Sequence, residues 1–358
     1  MAGLSAVCVG ESMAVLVPAA LRSTKNTGPM EDVATFHRGM GGAESNVARG
    51  LVSLGVPAAW VSRVGDDAFG RYVLASVAAA GVDTSAVAVD PVRPTGLYVK
   101  ETAGGVTIPR YYRSGSAASA LGPGLLDDPA AARLLEAADL VHLSGITAAL
   151  SDDCLALLDA LLARPRRGQS VVSFDLNWRP SLWRGRDPGL LRRLLLRLLD
   201  AADIVLVGSD EAAEVLGTGD PAELRELLPG PDTIVVKDGA RAAIALCRTA
   251  PEGVDGVDGV VSEPALAVEV VEPMGAGDAF AAGFLAGTLR GLGLRERLRL
   301  GHLMAAGTLV VPDDHAPPPP PGLRARLLAC SPEQWARIRV SAAGIDCPGL
   351  AGPLDGDS

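Results

Sequence analysis

Four consecutive residues carry the sharpest chemical signal in this chain: Gly275, Ala276, Gly277 and Asp278, within VEPMGAGDAFAAGFLAG. An apolar helical run follows them, which puts them at a helix N-terminus. There the first N–H groups lack intrahelical partners and the helix dipole leaves partial positive charge. Residues with little or no side chain let those N–H groups approach a phosphate closely. A carboxylate beside an ordinary anion site would repel the ligand. Asp278 makes chemical sense if it takes a proton from a hydroxyl that then attacks the phosphate, because phosphoryl transfer needs positioning together with charge stabilisation. The structural alternative is an Asp that caps a Gly-rich turn. The tetrapeptide alone leaves both readings open.

Other signatures are missing. No GxxxxGK[ST] occurs, which disfavours a P-loop nucleoside triphosphatase, and no GxGxxG follows the first strand, which weighs against a dinucleotide site. A net charge of −10 argues against non-specific nucleic-acid binding but allows a local basic pocket. The five cysteines are scattered without a CxxC pair, and the four histidines form no zinc spacing, so reduced thiols in a cytoplasmic protein are expected and no metal-ligand set is legible. No apolar run reaches the roughly 18 residues that span a bilayer. The apolar start lacks a basic leader and is interrupted by Glu11, so it reads as a strand pair and not a signal peptide.

The elements that must position these residues follow from periodicity. With 358 residues, 48 % hydrophobic and 21 % charged, the chain can bury a sizeable core. Its length suits about two domains or one large α/β domain. SAVCVGE and MAVLVP read as strands. In GGAESNVARGLVSLG a Gly-Gly turn precedes a helix with Val47, Leu51 and Leu54 on one face and Gly55 closing it. AAWVSRVG is a strand and DAFGRYVLASVAAAG a helix closed by Gly81. This βαβ rhythm predicts a parallel sheet with helices on both faces. Between Thr95 and Arg113 the rhythm breaks into two β-type runs around Gly104-Gly105, a hairpin that serves either as a flap over a site or as a sheet extension. Four more strands, ADLVHLSG, SVVSFDLN, ADIVLVG and DTIVVKDG, alternate with apolar helices. Several end in polar residues or Gly, where open parallel sheets bind ligands. DAFAAGFLAGTLRG and LRERLRLGHLMAAGTLVV read as helices, APPPPPG as a stiff link, and GVDGVDG as a local loop duplication. A short helix follows, and the residues after about Ser331 read as a tail that is poorly ordered at its end.

Two separated signatures, GGAESNVARGLVSLG with RVGDDAFGRYV after it, and GAGDAFAAGFLAG, resemble the ribokinase-like (PfkB) carbohydrate kinases. The resemblance runs from about Val7 to Leu323. It implies an α/β fold: an αβα sandwich with a mostly parallel central sheet and a small β lid drawn from about 12–40 and 95–113. The kinase domain would cover 1–323, with 324–358 a short helix and flexible tail. The resemblance further implies ATP as donor, Mg2+ as helper, Asp278 as base, and Gly275, Ala276 and Gly277 as the cradle of the transferring phosphate. TGLYVKE, YYRSGSAASAL, VHLSGITAALS and FDLNWRPSLW are most similar to 2-keto-3-deoxygluconate kinases within that family.

Charge logic agrees with that closer resemblance. A neutral sugar needs Asp, Asn and Gln for its hydroxyls, whereas a sugar acid carries a carboxylate that favours Arg through paired, charge-assisted hydrogen bonds. The resemblance makes Arg113 and Arg179 substrate-contacting arginines. It places Gly42 and Asn46 at the sugar end, Tyr98 and Tyr111 on the lid side, and Asp314 in the same region. Each residue type also has an ordinary use as surface charge, packing, turn or cap. On the nucleotide side the resemblance implies Asn177, Ser209, Lys237, Gly239 and His302.

The chain also departs from the family pattern. Ser209 and Ala212 replace the Asn and Glu of an Asn-x-x-Glu run whose Glu organises magnesium, leaving Asp210, Glu211 and Glu214 as neighbouring carboxylates. Glu272-Pro273 replaces Asp-Thr, Ala242 a second Gly, and His302 an Asn that faces the adenine.

The expected activity is ATP-dependent phosphorylation of the terminal hydroxyl of a sugar acid, 2-keto-3-deoxygluconate first, by a homo-oligomer with no nucleic-acid or membrane partner. A kinase for a neutral sugar of the fructose or ribose type, or for a nucleoside, is the alternative on the same fold. A non-catalytic sugar-acid-binding module is the alternative from another class; Ala212 favours it and the intact GAGD opposes it.

Overall fold

The computed structural model describes residues 4–19, 29–103, 106–164, 170–248 and 259–349. Its centre is a nine-stranded sheet. In chain order the strands are β1 (Ala6–Val9), β2 (Met13–Pro18), β3 (Phe36–Gly41), β4 (Ala58–Gly65), β5 (Val87–Asp90), β6 (Leu97–Ala103), β7 (Val106–Tyr112), β8 (Leu140–Ser144), β9 (Val171–Asp175), β10 (Ile204–Gly208), β11 (Thr233–Asp238), β12 (Ala242–Cys247), β13 (Val260–Pro264), β14 (Ala267–Val268), β15 (Arg339–Ser341) and β16 (Gly344–Asp346). The large sheet runs β13-β12-β11-β10-β9-β8-β1-β4-β5. It is parallel from β5 to β11, and β12 and β13 add antiparallel.

Strand alternation builds two cores, one per face. On β1, Val7 and Val9 enter one hydrophobic cluster while Ala6 and Cys8 enter the other. The first face is covered by helices that include Asp152–Ala163 and Pro188–Asp200, the second by Ala43–Ser53, Ala276–Leu289 and Leu294–Leu309. The helix Ala276–Leu289 is buried from Ala279 to Gly287, and its small residues permit close approach. A Cβ on Gly283 would lie 2.5 Å from the Leu300 carbonyl oxygen, and one on Gly50 would lie 2.5 Å from the Ala282 methyl. The sequence AAGFLAG is therefore a packing surface as well as a helix start.

A separate four-stranded sheet runs β3-β2-β6-β7. β6 and β7 pair antiparallel, with Tyr98 opposite Tyr111; Gly104 and Gly105, where the sequence predicts the hairpin turn, lie outside the described residues. Met13, Val15 and Tyr98 form this sheet's own apolar cluster, against which Met274 packs.

The C-terminal segment departs from the expected flexible tail. A helix spans Pro321–Leu328, Ser331 caps a short helix Pro332–Trp335, and β15 and β16 join β14 in a three-stranded sheet. Trp335, Ile338, Val340 and Cys347 are buried together with Leu303 and Leu327. These few apolar residues outweigh the Pro/Gly/Asp-rich composition around them. Residues 350–358 and most of GVDGVDG lie outside the described residues. All five cysteines are free thiols, and among the described residues no helix is long and apolar enough to cross a membrane.

Candidate active site

The carboxyl ends of the parallel strands converge where β1 has β8 on one side and β4 on the other, the reversal at which open α/β sheets leave a crevice. Gly275 opens the helix Ala276–Leu289 as its N-cap, with φ 81° in the left-handed region. A side chain there would also meet the Asp314 carbonyl oxygen at 2.4 Å. The turn therefore needs Gly twice over, for conformation and for space. Gly275 supplies no side-chain cap, so the first N–H groups of the helix have no capping partner there.

Asp278 sits in that first turn, but the cap position belongs to Gly275. Its Oδ2 accepts from Asn46 Nδ2 at 2.9 Å and its Oδ1 from Asn177 Nδ2 at 3.4 Å. Burial raises its pKa. The Asn46 hydrogen bond lowers it, Asp175 raises it, Arg179 and Lys237 lower it, and the result is a carboxyl pushed up to about 7. A carboxylate poised there can accept a proton at neutral pH.

Asn177 adopts φ 39°, the only positive φ outside glycine among the described residues, and its N–H donates to Asp175 Oδ1. Asn tolerates this region better than most residues, and such conformations gather at functional sites. Lys237, near the end of β11, donates to Asp175 Oδ2 at 2.8 Å. Burial lowers its pKa, but Asp175 and Glu211 outweigh that and the net direction is up, so it stays cationic. Its Nζ lies 3.7 Å from where a Gly277 side chain would start, close to the glycine turn.

Three adjoining cavities meet at this point. A small one of about 90 Å³ holds Gly42, Asn46, Tyr98, Tyr111, Arg113, Arg179 and Asp314 beside Gly275 and Asp278. A polar one of about 290 Å³ holds Asp175, Asn177, Arg179, Glu211 and Lys237 against Gly275, Gly277 and Asp278. The largest, about 500 Å³, is walled by Ser209, Gly239, Phe280, His302 and Leu309, and it touches Ala276 and Gly277. The residues expected to act on phosphate, sugar or nucleotide each line one of these three spaces.

Their settings differ. In the small cavity Arg113 is 8 % exposed and ion-pairs with Glu11, which also accepts from Ser116 Oγ. Tyr98 O–H donates to Asp314 Oδ2 at 2.6 Å, and the Tyr98 and Tyr111 rings lie 5.4 Å apart. Gly42 is extended at φ 176°, so its need is spatial: a Cβ would fall 2.3 Å from the Glu11 carbonyl oxygen. Arg179 NH1 donates to Glu211 Oε1 at 3.1 Å and to the Trp178 carbonyl.

In the large cavity Ser209 Oγ donates to Asp238 Oδ1 at 2.9 Å. His302 Nε2 faces the Glu263 carbonyl at 3.1 Å and must carry the hydrogen there, because a carbonyl only accepts. Burial pushes the His302 pKa down to about 4, so the ring is neutral at physiological pH.

Sequence reasoning passed over Glu44, Lys100 and Asp175, and gave Glu11 and Glu272 no part in the site. Asp175 ends β9, a position that itself marks it. Lys100 lies two residues after Tyr98 on β6, so strand alternation puts both on one face. Glu44 is fully buried, accepts from Ser144 Oγ and Thr147 Oγ1 at 2.6 Å each, and has its pKa raised, chiefly by burial. It underpins the helix start that presents Asn46.

No group of three acid, His or Cys side chains among the described residues makes a metal cage. Ala212 is buried in the core, whereas Asp210 and Glu211 border the large cavity and Glu214 is exposed.

Residues 4–318 match the model of the pfkB family carbohydrate kinases. The chain is 35 % identical over 328 residues to the 2-dehydro-3-deoxygluconokinase of Thermoproteus tenax, covering 88 % of this chain and 92 % of that one. It is 32 % identical over 317 residues to the 2-dehydro-3-deoxygluconokinase of Bacillus subtilis (strain 168), covering 87 % and 91 %. The crystal structure of a PfkB protein from Polaromonas sp. JS666 superposes with a TM-score of 0.74 at 33 % identity, covering 92 % of this chain and all of that one. The α/β architecture, the glycine-started helix carrying Asp278 and these matches agree, and the chain belongs to the pfkB family of carbohydrate kinases.

Proposed function

We propose that this kinase transfers the γ-phosphate of ATP to the terminal hydroxyl of 2-keto-3-deoxygluconate or a closely related sugar acid. The identity to two 2-dehydro-3-deoxygluconokinases supports that substrate class. The observation that carries it is Arg113. One end of its guanidinium is held by Glu11, while its buried Nε has no hydrogen-bond partner among the described residues. Arg113 lines the small cavity beside Arg179, and paired charge-assisted hydrogen bonds from guanidinium groups suit a carboxylate. Arg179 lines the same cavity, and among the described residues its hydrogen bonds run through NH1, to Glu211 and the Trp178 carbonyl.

In this reading the substrate carboxylate lies between Arg113 and Arg179, and Asp314 and Asn46 take the hydroxyls. Asn46 Oδ1 is likewise buried without a partner. The terminal hydroxyl reaches Asp278, which accepts its proton as the new oxygen–phosphorus bond forms and the bond to the β-phosphate oxygen breaks, releasing ADP. The N–H groups of Gly275, Ala276 and Gly277, with Lys237, balance the charge on the transferring phosphoryl. The adenine occupies the large cavity against Phe280 and His302.

Mg2+ takes oxygen ligands and keeps several waters, binding through one or two carboxylates plus phosphate. Glu211, with one oxygen on Arg179, and Asp175, whose oxygens accept from Asn177 and Lys237, line the polar cavity and would hold such an ion through its waters, in place of the carboxylate that Ala212 lacks. When bound there the ion neutralises developing phosphate charge.

A coupled ATP-turnover assay across sugar acids and neutral sugars tests the proposal. Sugar acids should lead the panel, and Arg113→Ala and Arg179→Ala should each raise the sugar-acid KM by at least about tenfold. Preference for a neutral sugar, with little effect of either variant, would overturn it.

A further inference from the structure

Lys100 is 1 % exposed although it belongs to the lid sheet. Its ammonium donates to Asp314 Oδ1 at 2.8 Å and to Glu272 Oε2 at 3.3 Å. The two carboxylates come from different loops. Glu272 stands three residues before Gly275, and its other oxygen accepts from the Met274 N–H at 3.2 Å. Asp314 follows the helix Leu294–Leu309; its other oxygen accepts from Tyr98, and its carbonyl is the atom that packs on Gly275. One buried cation thus joins a lid strand, the approach to the glycine turn, and the loop that confines that turn.

We infer that Lys100 is a positioning residue for phosphoryl transfer: its ammonium fixes the Glu272–Gly275 approach and the Asp314 loop to β6, so that cradle, sugar pocket and tyrosine wall keep one mutual arrangement. The inference rests on the reading of Gly275, Ala276 and Gly277 as the phosphoryl cradle. Stability alone does not call for this arrangement, since well-packed apolar residues are often as good as a buried ion pair or better. Such a network does fix where its members sit, because any departure leaves a charge buried without its partner. Burial pulls the Lys100 pKa down, but Asp314 and Glu272 outweigh it and the net direction is up, so the cation persists at working pH. Arg49, on the helix Ala43–Ser53, is also in the field of Asp313 and Asp314.

The test is steady-state kinetics of Lys100→Ala with ammonium chloride against sodium chloride at equal ionic strength. Misplacing the cradle should lower kcat by about 100-fold. Ammonium, which fits the space left between the carboxylates, should recover about tenfold of that loss where sodium does not, and wild type should respond to neither. A folded variant with kcat near wild type, or a loss that neither salt relieves, overturns the inference. Should Lys100→Ala fail to fold, Glu272→Gln keeps the shape and removes one charge. Its kcat should then fall about tenfold with both KM values nearly unchanged, and unchanged kcat overturns the inference. Asp278→Asn assayed in parallel separates the two claims. If it turns over normally the cradle reading itself fails; if it is dead while Lys100→Ala is active, only the role of Lys100 fails.

Discussion

Asn46 Nδ2 lies 2.9 Å from Asp278 Oδ2, joining the helix Ala43–Ser53 to the glycine turn across 232 residues of sequence. The amide donates, so it stabilises the ionised carboxylate and opposes the burial that raises its pKa to about 7. With Asp278 as base, kcat/KM should rise with pH through an acid limb near 7. Asn46→Ala removes the stabilising donor, so the limb should move to higher pH, beyond any drop in overall rate. Asn177→Ala, whose contact is longer at 3.4 Å, should move it less. A pH profile of both variants checks this, and a limb that stays in place removes Asp278 from the role.

The same shift has a stability consequence of opposite appeal. The folded pKa of about 7 stands above the unfolded value of 3.8, so between the two the folded state holds the extra proton. The protonated form is therefore favoured by folding. Its contribution is fully present below 3.8 and is lost as pH rises through 7. Asp278→Asn should raise the melting temperature at pH 8 and change it little at pH 4, while turnover falls by orders of magnitude. Thermal denaturation at both pH values measures it; equal effects at both would show that folding does not raise the Asp278 pKa.

Gly275→Ala should lose both stability and turnover. The left-handed conformation costs a non-glycine residue roughly 1–2 kcal/mol, and the added methyl would lie 2.4 Å from the Asp314 oxygen, so that loop must move. Gly239 supplies the contrast. Its φ is 54°, but nothing lies within 4 Å of a Cβ there. Gly239→Ala should therefore show only the conformational cost, with kcat within a few-fold of wild type, whereas Gly275→Ala should lose about 100-fold. Similar kcat values for the two variants would mean that the Asp314 contact does not matter.

The glycine turn and the parallel sheet are legible in the sequence for local reasons. Small residues ahead of an apolar helical run mark a helix start, and strands buried on both faces read as continuous apolar runs. The second half of the site is not local. Glu11, Asp175 and Glu272 each look like an ordinary charge, and only the topology brings them against Arg113, Lys237 and Lys100. Lys100 was within reach all the same: Tyr98 read as lid lining implies that its i+2 neighbour faces the same way. Composition misleads at the C-terminus, where Pro, Gly and Asp mask a few apolar residues at cooperative spacing.

Trp335 is the anchor of that C-terminal cap. It is fully buried, its Nε1–H donates to the Pro264 carbonyl at 2.9 Å, and the Arg299 guanidinium lies 4.7 Å from its ring centroid. Arg299 in turn donates to Glu263 Oε1, and the Glu263 carbonyl is the partner of His302. The cap thus stands directly behind one wall of the large cavity, with Leu266 of the same cluster lining it. Trp335→Ala should cost about 3–5 kcal/mol, the usual range for emptying a buried aromatic site. It should also raise the ATP KM several-fold as His302 and Leu266 lose their backing, while the sugar KM stays within about twofold. Ending the chain at Cys330 removes Trp335, β15 and β16 together and should act in the same direction, more strongly. Urea denaturation and steady-state kinetics read both effects. A truncated enzyme with an unchanged midpoint and ATP KM would show that the cap merely rests on the kinase without supporting its nucleotide wall.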